Sequence, residues 1–227
     1  MRRALWALLF ATAAATSAAV TSAAAQAPDA PSPSASAAPP AISGEFELKF
    51  DTATYDVTPE QPFEVKLASG EKVTATLVKR KSRTFKGDGL AFEFSPEFKL
   101  QREADGDLVT ISLDHPRSPM AMIQIFPGEV KPDDVPKELL DGIKKEFKDK
   151  AATLVKEPFA VQRDFKSGKL TGQGLQYKIG GQQIDVEVYS WAQGARTVGL
   201  TLQWSADEAD VAKQMLDPLV TSIDGAP

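Results

Sequence analysis

Residues 170–191 read LTGQGLQYKIGGQQIDVEVYSW, with two adjacent glycines, Gly180 and Gly181, at the centre. Adjacent glycines between alternating apolar and polar residues indicate a two-residue hairpin turn, because both positions of such a turn favour positive φ. The cross-strand pairs that this turn predicts are Ile179 with Gln182, Tyr177 with Ile184, and Leu175 with Val186. The segment therefore predicts an antiparallel strand pair with one apolar face.

The opposite face of this strand pair carries two carboxylates and two aromatic rings, namely Asp185, Glu187, Tyr189 and Trp191. In the predicted register Tyr189 stands opposite Gly172, which contributes no side chain. One interpretation is that Tyr189 covers the bare backbone there, as aromatic residues do opposite strand glycines. The alternative is a shallow groove, in which the two rings stack a ligand or partner and the two carboxylates fix a cationic or hydroxyl group.

The chain on both sides of this hairpin contains further segments with the pattern of strands. Alternation of apolar and polar residues with a period of two is typical of antiparallel sheets. The segments with this pattern are 46–50, 63–67, 73–78, 90–94, 98–102, 108–113, 120–126 and 196–204. Turn signals at Ser69-Gly70 and Asp105-Gly106 favour hairpin connections between neighbouring strands.

Two segments have a helical period instead. Apolar residues recur every four positions between 135 and 147, and Pro136 suits the first turn of a helix. A second helix is predicted after Ser205, which forms a capping-box pattern with Glu208. This order of elements predicts the α+β class: an antiparallel β-sheet with helices packed on its faces, preceded by an extra N-terminal β-hairpin.

The N-terminus has the three parts of a secretory signal peptide. Arg2 and Arg3 precede an apolar stretch at 5–20, and Ala23 and Ala25 form an A-x-A cleavage site. Export to the periplasm or the medium is therefore expected. The chain has no Cys, which excludes disulfides and the acylated cysteine of a lipoprotein, so we expect a soluble protein without a lipid anchor.

The charge balance argues against one class of partner. There are 26 Lys+Arg and 31 Asp+Glu residues, which give a formal net charge of −5. Nucleic-acid binding needs a dense basic surface, so no nucleic-acid partner is expected. No metal or cofactor is expected either, since the single histidine, His115, lies in a loop without partners at ligand spacing.

One basic run stands out at Lys79-Arg80-Lys81-Ser82-Arg83. It follows one predicted strand and precedes another. One interpretation is a charged edge strand, which blocks pairing with other sheets. The other is contact with an anionic membrane surface or an acidic partner.

Two sequence motifs carry a family resemblance. GLAFEFSP at 89–96 resembles the opening strand of the PsbP-like superfamily, which includes the bacterial DcrB-like envelope proteins. RTVGLTL at 196–202, followed by a helix that ends in LVTSI at 219–223, is similar to the end of those domains. The resemblance covers residues 84–223 and implies an α/β/α sandwich with an accessory, assembly or binding role. It supplies no catalytic motif, and the front hairpin at 45–83 lies outside it.

These patterns predict a division of the chain and a function. The predicted parts are a signal peptide at 1–25, an Ala/Pro/Ser-rich disordered linker at 26–42, a β-hairpin region at 43–86 and a PsbP-like α+β domain at 87–224. We expect a non-catalytic accessory or binding protein of the cell envelope that recognises an envelope protein or a small ligand. The alternatives are a carrier of a small amphiphile, with a pocket between sheet and helix, and a hydrolase acting on envelope polymers.

Overall fold

The computed structural model of this protein describes residues 41–42, 46–47, 60–67 and 69–224. The predicted signal peptide, and the predicted linker up to residue 40, lie outside the described residues. The helix α1 spans Val135–Asp149 and the helix α2 spans Ala209–Ser222. The strands before α1 are β1 (Ala41–Ile42), β2 (Phe46–Glu47), β3 (Pro62–Lys66), β4 (Lys72–Thr76), β5 (Val78–Lys79), β6 (Arg83–Gly87), β7 (Leu90–Phe94), β8 (Lys99–Asp105), β9 (Leu108–Asp114) and β10 (Met120–Phe126). Those after α1 are β11 (Thr153–Phe165), β12 (Gly168–Ile179), β13 (Gln182–Gln193) and β14 (Arg196–Ser205).

The main sheet of the described residues has seven strands in the order β11-β12-β13-β14-β10-β9-β8, and every neighbouring pair is antiparallel. The predicted antiparallel sheet accompanied by helices is confirmed in this form. The register predicted from Gly180-Gly181 is also confirmed, because Ile179 pairs with Gln182 and Leu175 with Val186. Both glycines have positive φ, as the tight turn requires.

Two apolar clusters lie on opposite faces of β13, because neighbouring residues of a strand point to opposite sides. Three residues of α1, Leu140, Ile143 and Phe147, belong to the cluster that contains Val186 and Val188. The larger cluster contains Tyr189, Trp191 and four residues of α2, which are Ala212, Leu216, Leu219 and Val220. Phe85 of β6 and three residues of β7, Leu90, Phe92 and Phe94, also belong to this larger cluster.

Strand β11 is the main element that the sequence pattern did not predict. It forms one edge of the seven-stranded sheet, and its pairing with β12 shifts register between Leu154 and Lys156 and again between Lys156 and Phe159. Such irregularities protect an edge strand from pairing with another sheet. Beyond the second shift the register is regular, and it places Arg163 opposite Leu170.

Candidate functional site

Both aromatic rings of the predicted groove lie inside the protein. Tyr189 is fully buried and Trp191 almost so, and Phe165 of β11 packs against them with ring centroids 5.4 and 5.9 Å away. A Cβ atom at Gly172 would lie 2.5 Å from Cδ1 of Tyr189, so the tyrosine ring covers that glycine directly. Phe165 and residues of α2 belong to the same apolar cluster as Tyr189 and Trp191, and this cluster encloses both rings. The groove in which the rings would stack a ligand is therefore not formed.

The two predicted carboxylates on this face have different surroundings. Glu187 Oε2 lies 2.5 Å from Arg163 Nε and accepts a hydrogen bond of 2.8 Å from the hydroxyl of Tyr189. Nη1 of the same arginine lies 3.0 Å from Oδ1 of Asp217 in α2. Asp185 is not part of this group and accepts a hydrogen bond from Gln183. Arg163, Glu187, Tyr189 and Asp217, called the Arg163 cluster below, join β11, β13 and α2.

Burial and charge set the protonation states in the Arg163 cluster. Burial, and then the charge of Glu187, raise the pKa of Tyr189, which keeps the phenol protonated as a donor. Burial alone would lower the pKa of Arg163, but the charge and hydrogen bond of Glu187 outweigh it, and the net shift is upward. The guanidinium carbon also lies 5.4 Å from the ring centroid of Trp204. Arg163 is therefore a permanent cation that is paired with the carboxylates of both Glu187 and Asp217.

Other ionisable groups are also held by partners. Nε and Nη2 of Arg102 donate hydrogen bonds of 2.8 and 2.7 Å to the two carboxylate oxygens of Asp88. This hydrogen bonding lowers the pKa of Asp88. The ring of His115 has Nε2 3.1 Å from Glu97 Oε2, and its Nδ1 accepts from the backbone N–H of Arg117. The first contact joins the loop at 115–119 to the turn between β7 and β8, and the second lies within the loop itself.

The predicted basic run lies at and between strands β5 and β6. Lys79 and Lys81 are exposed, as is the apolar Val78 beside them, while Arg80 and Arg83 are half-buried. The guanidinium of Arg83 lies 5.1 Å from the ring centroid of Phe94, and Ser82 donates a hydrogen bond to Glu93. The run thus presents two lysines and a valine to solvent, and its arginines lie closer to the body of the protein.

Two features are absent from the part of the chain that the structure describes. No group of three or more His, Asp or Glu side chains there is placed to hold a metal ion. None of the helices in that part is long and apolar enough to cross a membrane.

Comparisons with known proteins give similarity to solved structures alone. No protein-family model and no curated protein matches the chain. The solution structure of a cyanobacterial PsbP from Synechocystis is 13% identical, with a TM-score of 0.39, and the match covers 77% of this chain and 98% of that one. The Ran-binding protein Mog1p of Saccharomyces cerevisiae is 10% identical, with a TM-score of 0.39. This match covers 73% of this chain and 96% of Mog1p. LpqN of Mycobacterium tuberculosis, a protein involved in cell envelope biogenesis, is 12% identical, with a TM-score of 0.34. This match covers 57% of this chain and 84% of LpqN.

The search of solved structures thus returns a PsbP, from the superfamily that the two sequence motifs resemble. These identities are too low to carry any site residue across to this chain.

Proposed function

We propose that this protein is an exported, non-catalytic binding protein of the cell envelope. Export is supported by the basic start, the apolar stretch and the A-x-A site before Gln26. The division of the chain after residues 25, 42 and 86 is part of the same proposal. The observation that carries the non-catalytic part is the Arg163 cluster, in which the enclosed carboxylate of Glu187 already has two partners.

A hydrolase of envelope polymers would need two carboxyl groups that face each other across a cleft, with one free to take or give a proton. Glu187 and Asp217 are the two carboxylates that come together here, and Arg163 bridges them. The two carboxylates are thus joined through one guanidinium instead of facing each other across a cleft. This arrangement supports a structural tie between strand and helix over a catalytic pair.

The surface that we assign to envelope contact is the exposed part of the basic run, Val78, Lys79 and Lys81. An apolar side chain next to lysines suits an anionic membrane surface, because the lysines neutralise lipid phosphates and the valine enters the headgroup layer. Such binding is weak and sensitive to salt, since exposed charges are screened within about 10 Å at 0.1 M salt.

Charge reversal tests this surface. The variant with Lys79→Glu and Lys81→Glu is expected to bind vesicles of phosphatidylglycerol at least tenfold more weakly than the wild type. Each basic residue near an anionic surface contributes about 1 kcal/mol. Co-sedimentation at low salt measures the bound fraction, with phosphatidylcholine vesicles as the uncharged reference.

The matched control is Lys131→Glu with Lys137→Glu, which makes the same charge change at exposed lysines beside the N-terminus of α1. A negative charge is tolerated there by the helix dipole. The control should bind like the wild type if the basic run is the contact. Equal losses in both variants would mean that net charge alone governs binding, and no binding by the wild type would rule out the membrane surface as the partner.

A further inference from the structure

Strand β8 forms one edge of the seven-stranded sheet. Within the described ranges it pairs with β9 alone, in a register without shifts. The opposite edge, β11, contains Pro158 and two shifts of register, and both features keep an edge strand from pairing with another sheet. Strand β8 has neither a proline nor a register shift, and all of its residues except Leu100 are exposed. It therefore offers its outer edge to a further strand.

The turn between β8 and β9 decides which backbone groups lie on this outer edge. It has two residues, Gly106 and Asp107, so Asp105 and Leu108 on either side of it form a hydrogen-bonded pair. Hydrogen-bonded and non-hydrogen-bonded pairs alternate along an antiparallel ladder. The backbone N–H and C=O groups of three residues therefore point away from β9, and these residues are Leu100, Arg102 and Ala104.

These three residues are arranged symmetrically about Arg102, which is also the middle residue of β8. When a second copy of β8 runs antiparallel with Arg102 opposite Arg102, the whole strand pairs, and Leu100 stands opposite Ala104. The outward backbone groups then meet in three pairs of two hydrogen bonds each, which gives about six bonds. A shift by one residue would bring outward groups against groups already bonded to β9, and a shift by two would leave strand ends unpaired.

The side chains of β8 are complementary in this register. Lys99 stands opposite Asp105 of the second copy, and two-fold symmetry gives this pair twice. Opposite charges at facing positions stabilise an antiparallel pair, and non-hydrogen-bonded pairs such as this one bring the side chains closest. The one like-charge pair is Arg102 with its own copy, and Asp88 of the same chain accepts hydrogen bonds of 2.8 and 2.7 Å from each guanidinium.

From this edge we infer that the protein forms a two-fold symmetric dimer through β8, in which two seven-stranded sheets join into one. The partner at the edge is thus a second copy of this chain. A contact limited to one strand edge is smaller than the roughly 1,200 Å² at which stable interfaces begin. The dimer therefore forms and dissociates readily.

Sedimentation equilibrium of the purified protein tests the dimer. Over protein concentrations from about 1 μM to about 1 mM, we expect a monomer–dimer equilibrium with a dissociation constant inside that range. The variant Asp105→Lys places a lysine opposite Lys99 of the second copy, so it should raise this constant about tenfold. Position 105 is exposed and faces Leu108 within the chain, so the melting temperature should hardly change. Monomer throughout, with the edge left to a strand of another protein, would overturn the inference.

The contribution of the backbone is tested by Ala104→Pro. Proline removes an N–H that points away from β9, so the monomer keeps its ladder hydrogen bonds and the dimer loses two. Dissociation should become at least tenfold easier, and association like that of the wild type would overturn pairing through β8. The control Asp164→Lys makes the same charge change as Asp105→Lys at an exposed position of β11, and should leave the dimer unchanged. An equal loss in this control would show that net charge governs association and would also overturn the inference.

Exchange of charges between copies tests the register. Lys99→Asp should weaken the dimer as Asp105→Lys does, because aspartates then face each other. An equal mixture of the two variants should recover the wild-type dissociation constant, since each introduced charge meets its opposite in the mixed dimer. Lys99 also pairs with Asp114 of β9, so the melting temperature of Lys99→Asp is measured first, and Asp105→Lys and Ala104→Pro decide the matter if it is lowered. A mixture of folded variants that stays monomeric would contradict the register centred on Arg102.

Discussion

Replacement of Arg163 by Leu is expected to lower the free energy of unfolding by about 3 kcal/mol, because it leaves the Glu187 carboxylate enclosed without its cation. The exposed fractions of the two side chains are 18% and 16%, so water can compensate only part of the loss. Asp217 loses the same partner, which weakens the tie between α2 and the sheet. Urea denaturation followed by tryptophan fluorescence measures the effect.

Two comparisons separate this effect from a general loss of packing. Adding Glu187→Gln to the Arg163→Leu variant should recover part of the stability, because the uncompensated charge is removed. Replacing Lys72 by Leu breaks a pair with Glu64 in which both side chains are largely exposed, so stability should hardly change. Wild-type stability in Arg163→Leu would show that the Arg163 cluster does not hold the fold together.

Replacement of Gly172 by Ala is expected to cost about 3 kcal/mol, since the added methyl group has no space. A Cβ atom there would lie 2.3 Å from the carbonyl oxygen of Val188 and 2.5 Å from the ring of Tyr189. The first of these atoms belongs to the backbone of a central strand, so relief requires movement of β12 or β13. For a chain of this size the melting temperature should fall by about 2–4 °C for each kcal/mol.

Gly142 provides the matched control for this substitution. It lies in α1, and a Cβ atom there would meet no other atom within 4 Å. Gly142→Ala should therefore raise the stability by up to about 1 kcal/mol, because alanine favours the helix more than glycine does. Similar effects of the two substitutions would contradict the close approach of Tyr189 to Gly172.

The parts of the fold that sequence predicts well are those encoded by neighbouring residues. The Gly180-Gly181 turn fixes the register of β12 and β13, because a two-residue turn leaves one pairing that keeps the apolar face together. Strand β11 could not be predicted in this way, since Lys156, Glu157 and Pro158 interrupt its alternation. The partner of Glu187 was therefore missed as well, because Arg163 lies on that strand.

Local motifs also failed where distant residues compete for the same atoms. Ser205 and Glu208 match a capping box, yet the hydroxyl of Ser205 makes no cap hydrogen bond. That hydroxyl accepts from Gln182 instead, and the N–H of Ser205 donates to the hydroxyl of Ser118. The predicted aromatic groove failed for a related reason, since the covering of Tyr189 and Trp191 depends on packing between elements far apart in the chain.

Export is tested most directly by N-terminal sequencing of the protein recovered from the organism that makes it, after cytoplasmic, membrane and osmotic-shock fractions have been separated. The proposed function predicts a chain that begins at Gln26 and is found in the osmotic-shock fraction or the medium. A chain that still begins at Met1, in the cytoplasmic or the membrane fraction, would contradict it.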